Sequence, residues 1–177
     1  DTLNAIDAVI AEHPDFALAH ALRAGALATA TDKAFEDEAL KSQKAAEALK
    51  KRFSRARVVA ADIAPGMVQA ARRRSRFWRS FECVEADAHR LPMPDASFDV
   101  VFTNLMLQWA DPLDDALAQI GRVLRPGGLL LASSFGPETL QELRWAWAQA
   151  DDAVHVNRFV DMLDFGAALQ RAGFSEP

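Results

Sequence analysis

Apolar positions in the first fifty residues recur with helical spacing. Leu3, Ile6, Val9 and Ile10 lie on one helical face, which the His13-Pro14 pair interrupts. Asp15 starts a predicted second helix carrying Phe16, Leu18, Leu22 and Leu27. Thr31-Asp32 supplies a turn and an N-cap before a third helix that runs to about Phe53. Asp37 with Lys41 and Glu47 with Lys51 are i,i+4 pairs in the favoured order, worth about 0.3 kcal/mol each. Residues 1–50 therefore read as an all-α segment.

From Arg52 onward the period changes. Residues 56–61 form a buried-type strand, followed by Asp62-Ile63-Ala64-Pro65-Gly66 and a helix over about 65–74. A strand near 81–85 leads into Glu85-Ala86-Asp87-Ala88, and another covers 98–103. Asp111-Pro112 opens a helix with Asp111 as N-cap, Asp114 and Asp115 in its first turn, and Arg122 and Arg125 in its last. Its apolar stripe is Leu113, Leu117, Ile120 and Leu124. Pro126-Gly127-Gly128 ends that helix and turns into a strand over 129–134. Gly136-Pro137 opens a further helix, and a last one spans about 161–172. Strands alternating with helices predict an α/β fold with a mostly parallel sheet.

Composition supports two segments of different character. All five lysines lie in the first 51 residues, whereas 14 of the 15 arginines lie from Arg52 onward. The 177 residues carry a net charge of −5, which gives no global case for nucleic-acid binding. No apolar run approaches the ~20 residues of a membrane span, and the expected location is the cytoplasm. A single cysteine, Cys83, excludes an intramolecular disulfide, and no thiolate-activating neighbour is evident. His13, His20, His89 and His155 have no metal-ligand spacing, so no metal is expected. Arg72, Arg73, Arg74, Arg76 and Arg79 beside Phe77-Trp78 suit an acidic carrier protein, an RNA, or simply a solvated helix end. The oligomeric state is left open.

Ligands of parallel α/β sheets lie at the carboxyl ends of the strands. Asp62, Asp87 and Asn104 fall there. A carboxylate after the second strand is an acceptor-only group with two oxygens, suited to the vicinal diol of a ribose. Asp87 is placed to accept from an adenine amino group while the Ala88 N–H meets a ring nitrogen. Turn formation or helix capping accounts equally well for any one aspartate; the recurrence after successive strands favours the binding reading.

The runs RVVAADIAPGM (57–67), VEADAHRLPMPDASFDVVFTNLMLQW (84–109) and RVLRPGGLLLASSFGPETLQELR (122–144) resemble class I S-adenosylmethionine-dependent methyltransferases. The LMLQW, FGPETLQELR and HVNRF elements are most similar to the malonyl-carrier-protein O-methyltransferases of biotin synthesis. The arginine hydroxylase that assists respiratory complex I assembly shares a similar FG-x-[DE]TL-x-ELR stretch. The first two helices resemble a tetratricopeptide-type hairpin, although one such unit does not bury a continuous core.

The resemblance implies S-adenosylmethionine as cofactor, held by Asp62 at the ribose, Ile63 on the adenine face, Asp87 and Ala88 at the adenine edge, and Asn104 at the methionine end. It also implies Trp109 and Phe135 at the substrate mouth, Arg144 and Arg158 on the acceptor carboxylate, and an acyl-carrier protein as partner. No residue is assigned a covalent or acid–base catalytic role. The resemblance covers roughly residues 45–177, with the domain proper placed at 51–177. It implies an incomplete Rossmann-like sheet: no G-x-G occurs among the eight glycines, and the first strand, the glycine-rich loop and the final antiparallel strand pair are expected to be missing. That departure predicts weak or no cofactor binding, and it leaves a non-catalytic interaction fragment as the alternative to an enzyme. A nicotinamide-dinucleotide site is disfavoured by the missing glycine fingerprint.

Overall fold

Five parallel strands form one sheet in the computed structural model, which describes residues 18–20, 55–75, 81–150 and 152–175. The strands are β1 (Leu18–His20), β2 (Val58–Asp62), β3 (Glu82–Glu85), β4 (Phe98–Asn104) and β5 (Leu124–Ser133). Their spatial order is β3-β2-β1-β4-β5. Among the described residues, four helices accompany them: α1 (Pro65–Arg74), α2 (Leu113–Val123), α3 (Gln141–Ala148) and α4 (Met162–Arg171). A 3-10 turn, Leu107–Trp109, follows β4.

Alternation along the strands sorts the core into two layers. Val58, Val100 and Phe102 pack with Ala71 of α1 and with Phe81. Val59, Ala61, Phe98 and Val101 pack on the opposite face with Ala116, Leu117, Ile120 and Val123 of α2 and Ala168 of α4. β4 is buried or nearly so throughout, as expected of an interior parallel strand. β2, β3 and α1 fall where the residue pattern predicts them.

The largest departure concerns β1. Leu18–His20 is not part of a helix and the central place in the sheet is not vacant: the strand pairs in parallel with Val58–Ala60 on one side and Val100–Phe102 on the other. β2 and β4 need a partner between them to satisfy their inner backbone groups. Three residues are too few to display a period of either kind, so tertiary pairing overrides the helical spacing around them. The predicted helices over 3–10 and 31–53 and the stretch from Arg76 to Arg79 lie outside the described residues.

Smaller differences have local causes. α2 starts at Leu113 with Pro112 at the cap position, and no side chain caps it. β5 begins at Leu124, and its pairing jumps from Phe98 with Leu124 to Val100 with Leu129, so Pro126-Gly127-Gly128 bulges out inside the strand. A Cβ on Gly128 would lie 2.9 Å from the Arg125 carbonyl oxygen and 3.1 Å from that of Asp99, leaving room only for glycine. α3 starts at Gln141, because Leu140 turns left-handed at φ 59°. α4 is capped by Asp161, whose carboxylate accepts from the Leu163 and Asp164 N–H groups.

One arginine braces the segment that carries the site. Arg122 of α2 donates to the carbonyls of Leu91 and Met93, at 2.8 Å each, and to the Asp95 carboxylate. Gln119 Oε1 accepts from Arg122 at 3.0 Å and from the Leu91 N–H at 3.2 Å. The loop after β3 is thereby tied to the core helix. No helix among the described residues is long and apolar enough to cross a membrane.

Candidate functional site

The carboxyl edge of the sheet gathers the polar residues singled out by position. Asp62 is the last residue of β2 and Asn104 the last of β4. His20 is level with Ala60 and with Phe102, so Asp62 and Asn104, two residues further on, face each other across β1. Two strand intervals separate them by about 10 Å. The Ala86 N–H donates to the Asp62 carbonyl at 3.0 Å, which draws the Asp87 loop to the same edge.

Asp62 Oδ1 accepts the Ala64 N–H at 2.8 Å, closing a turn that sets the entry of Pro65 into α1. Ile63 beside it is half-buried. Asp87 is held differently: its Oδ1 accepts both the His89 N–H at 2.9 Å and the His89 Nδ1 at 2.8 Å. Those bonds hold the Asp87 carboxyl below the ordinary range, the backbone bond being the largest cause and partial burial opposing it. Oδ2 has no partner among the described residues, and 46% of the Asp87 side chain is exposed. Ala88 is buried at 1% exposure beneath it.

At the other end of the edge, the Ser133 hydroxyl donates to Asn104 Oδ1 at 2.7 Å, leaving the Asn104 amide nitrogen as a donor. Two residues beyond β5, Phe135 meets Phe159 with ring centroids 5.2 Å apart. Phe159 lines a cavity of about 480 Å³ with Pro137, Arg144, Arg158, Asp161 and Asp164. Arg144 spends its guanidinium on the Thr139 carbonyl, at 2.8 Å, and on the Pro137 carbonyl, and lies over the Phe159 ring. Arg158 is exposed, with no ion pair among the described residues.

Three of the four residues assigned to the acceptor end, Phe135, Arg144 and Arg158, are therefore linked through Phe159. Trp109 is not among the residues lining the cavity; its ring packs against the core below α2, with Nε1 buried and unpartnered among the described residues. Thr103 Oγ1, Gln108 Oε1 and His89 Nε2 are likewise buried without partners among them. Residue spacing did not single out His89 or Ser133 for these contacts. The DAH triplet, a hydrogen-bonding side chain two residues after a loop aspartate, was the one available signal for the first. Cys83 is half-buried, and burial pushes its thiol upward, away from nucleophilic use.

This donor and acceptor set fits a nucleoside cofactor at one end. The partly exposed Asp87 carboxylate is an acceptor that suits an amino donor, and the Asp62 carboxylate at the end of β2 is a second acceptor on the same edge. The residues following β1 lie outside the described ones.

Comparison with known proteins bears on both fold and site. Residues 39–132 match the family described as "Methyltransferase domain". The chain is 48% identical over 133 residues to the malonyl-[acyl-carrier protein] O-methyltransferase of Halorhodospira halophila, covering 75% of this chain and 45% of that protein. It is 48% identical over 134 residues to the protein of the same name from Xylella fastidiosa, covering 76% and 45%. The chain thus spans a little under half the length of these curated relatives. The crystal structure of a SAM dependent methyltransferase from Aquifex aeolicus superposes with a TM-score of 0.63 at 15% identity, over 96% of this chain and 79% of that one. That likeness bears on the fold alone. Since the family match takes in more than half of the 177 residues and the parallel sheet agrees with it, the chain belongs to the methyltransferase-domain family.

Proposed function

We propose that this chain carries the cofactor half of an S-adenosylmethionine-dependent methyltransferase that esterifies the free carboxylate of a malonyl group on an acyl-carrier protein, a step of biotin synthesis. The observation that carries the reading is the convergence of Asp62, Asp87 and Asn104 on one sheet edge. The 48% identity to malonyl-carrier-protein methyltransferases supports the substrate. The methyltransferase unit takes in residues 51–177 together with β1, which supplies the central strand.

When bound, the cofactor supplies an electrophilic methyl group on sulfur. Asp62 accepts from the ribose hydroxyls, and Ile63 packs on the adenine. Asp87 and the Ala88 N–H hold the adenine edge, and the Asn104 amide serves the methionine end. The acceptor carboxylate is ionised at neutral pH, since such groups titrate near ~4. It therefore needs no general base, and the chain's task is alignment and exclusion of water. Arg158 orients that carboxylate, while Arg144 shapes the 137–139 loop and Phe135 packs beside them.

Calorimetric titration with S-adenosylhomocysteine tests the cofactor half. One-to-one binding is expected with a dissociation constant on the order of 100 µM, weakened because the chain has no G-x-G turn. Absence of heat at millimolar ligand would remove the reading. In a methyl-transfer assay, Arg158→Ala should raise the KM for malonyl-carrier protein by about tenfold, the worth of one charge-assisted contact. An unchanged KM would take Arg158 off the acceptor.

A further inference from the structure

Two donors from one residue converge on a single oxygen of Asp87. The His89 N–H reaches Oδ1 at 2.9 Å and the His89 ring, through Nδ1, at 2.8 Å. A carboxylate only accepts, so the ring proton sits on Nδ1. The opposite ring nitrogen, Nε2, is buried, and 26% of the imidazole side chain is exposed. The ring is thus wedged by packing at one end and bonded at the other. The Arg90 N–H also donates to the Asp87 carbonyl at 3.0 Å, closing the turn that presents both side chains.

An aspartate carboxylate ordinarily rotates through a broad, two-fold range about its last torsion. With one donor, its plane still swings. With two donors at different angles, Oδ1 is pinned, the plane is set, and Oδ2 becomes the one oxygen offered outward. We infer that His89 is a positioning residue that clamps Asp87 so that Oδ2 reads an exocyclic amino group, making the site selective for a 6-aminopurine over a purine lacking that group. The inference rests on the cofactor reading above and deepens it. The depressed titration of Asp87 agrees, because the same two bonds keep Oδ2 an acceptor.

The test compares S-adenosylhomocysteine with its analogue in which hydrogen replaces the 6-amino group. Both ligands are titrated into the wild-type chain, His89→Leu and His89→Gln, with thermal melts recorded for each. The wild type should prefer the amino ligand by about tenfold, the worth of one hydrogen bond to a charged group. His89→Leu should keep its melting temperature within a few degrees, and its preference should fall to about twofold. His89→Gln, which retains a side-chain donor, should recover most of the preference. An undiminished ratio in His89→Leu overturns the clamp while leaving the cofactor reading intact. If the leucine variant melts early, the glutamine variant decides: a ratio as low as that of the leucine variant overturns the clamp. Failure of the wild type to bind either ligand removes the cofactor reading and the clamp together.

Discussion

Asp62→Ala should weaken S-adenosylhomocysteine binding by about a hundredfold, the largest ligand effect of any single change at the sheet edge. Each hydrogen bond to a charged group contributes about 1.5–3 kcal/mol, and a tenfold change in affinity corresponds to about 1.4 kcal/mol. The substitution removes the carboxylate that we propose accepts from the ribose diol, and also the oxygen that takes the Ala64 N–H at 2.8 Å. Loss of that bond loosens the turn into α1, so the ligand must reorder backbone as well as forgo contacts. Asp62→Asn separates the two effects. Its amide oxygen still receives the Ala64 N–H, but its second atom is a donor, so affinity should fall about tenfold. Calorimetry on the two variants checks both. Binding of the alanine variant within threefold of wild type would show that Asp62 serves the turn and not a ligand.

Ile120→Ala should cost about 3 kcal/mol of folding stability. Ile120 is fully buried in α2, in the layer formed by Leu117, Val123, Phe98, Val101 and Met106. Ala116, at 0% exposure, already brings the helix flush against its neighbours. Little remains to collapse into the space left by three lost carbons, so a cavity term adds to the transfer term. For a domain of this size the melting temperature should drop by about 10 °C. Urea denaturation is the measurement; a loss below about 1 kcal/mol would mean that α2 does not seal this face of the sheet. Because Arg122 on the same helix holds the Leu91 and Met93 carbonyls, the variant should also lose ligand affinity through the Asp87 loop.

Most of the α/β frame was legible in residue order. β2 and β4 are short, mostly apolar runs ending in Asp62 and Asn104, as a parallel sheet buried on both faces produces, whereas β3, at the sheet's edge, has exposed glutamates at both ends and half-buried Cys83 and Val84 between them. α4 was legible as the helix expected over about 161–172, and the structure adds that Asp161 caps it. The placement of the carboxylates was legible too: topology puts groups that follow successive strands at one sheet edge, so the position of Asp62 and Asp87 there could be named before their surroundings were known. The bulge inside β5 was not legible, because Pro126-Gly127-Gly128 reads equally well as a stop between helix and strand.

Local order along the chain was sufficient to set which residues form strands, which edge carries acidic groups, and which family the runs resemble, because each depends on periods and turns a few residues long. It was insufficient for the central strand: Leu18–His20 takes that place because the inner edges of β2 and β4 need hydrogen-bond partners, a demand that arises only when distant segments meet. Nor did it foretell that the Arg144 fork turns to the carbonyls of Pro137 and Thr139, or that the His89 ring turns to Asp87. A side chain's partner is chosen by the path of the folded backbone around it, and that path exists only in three dimensions.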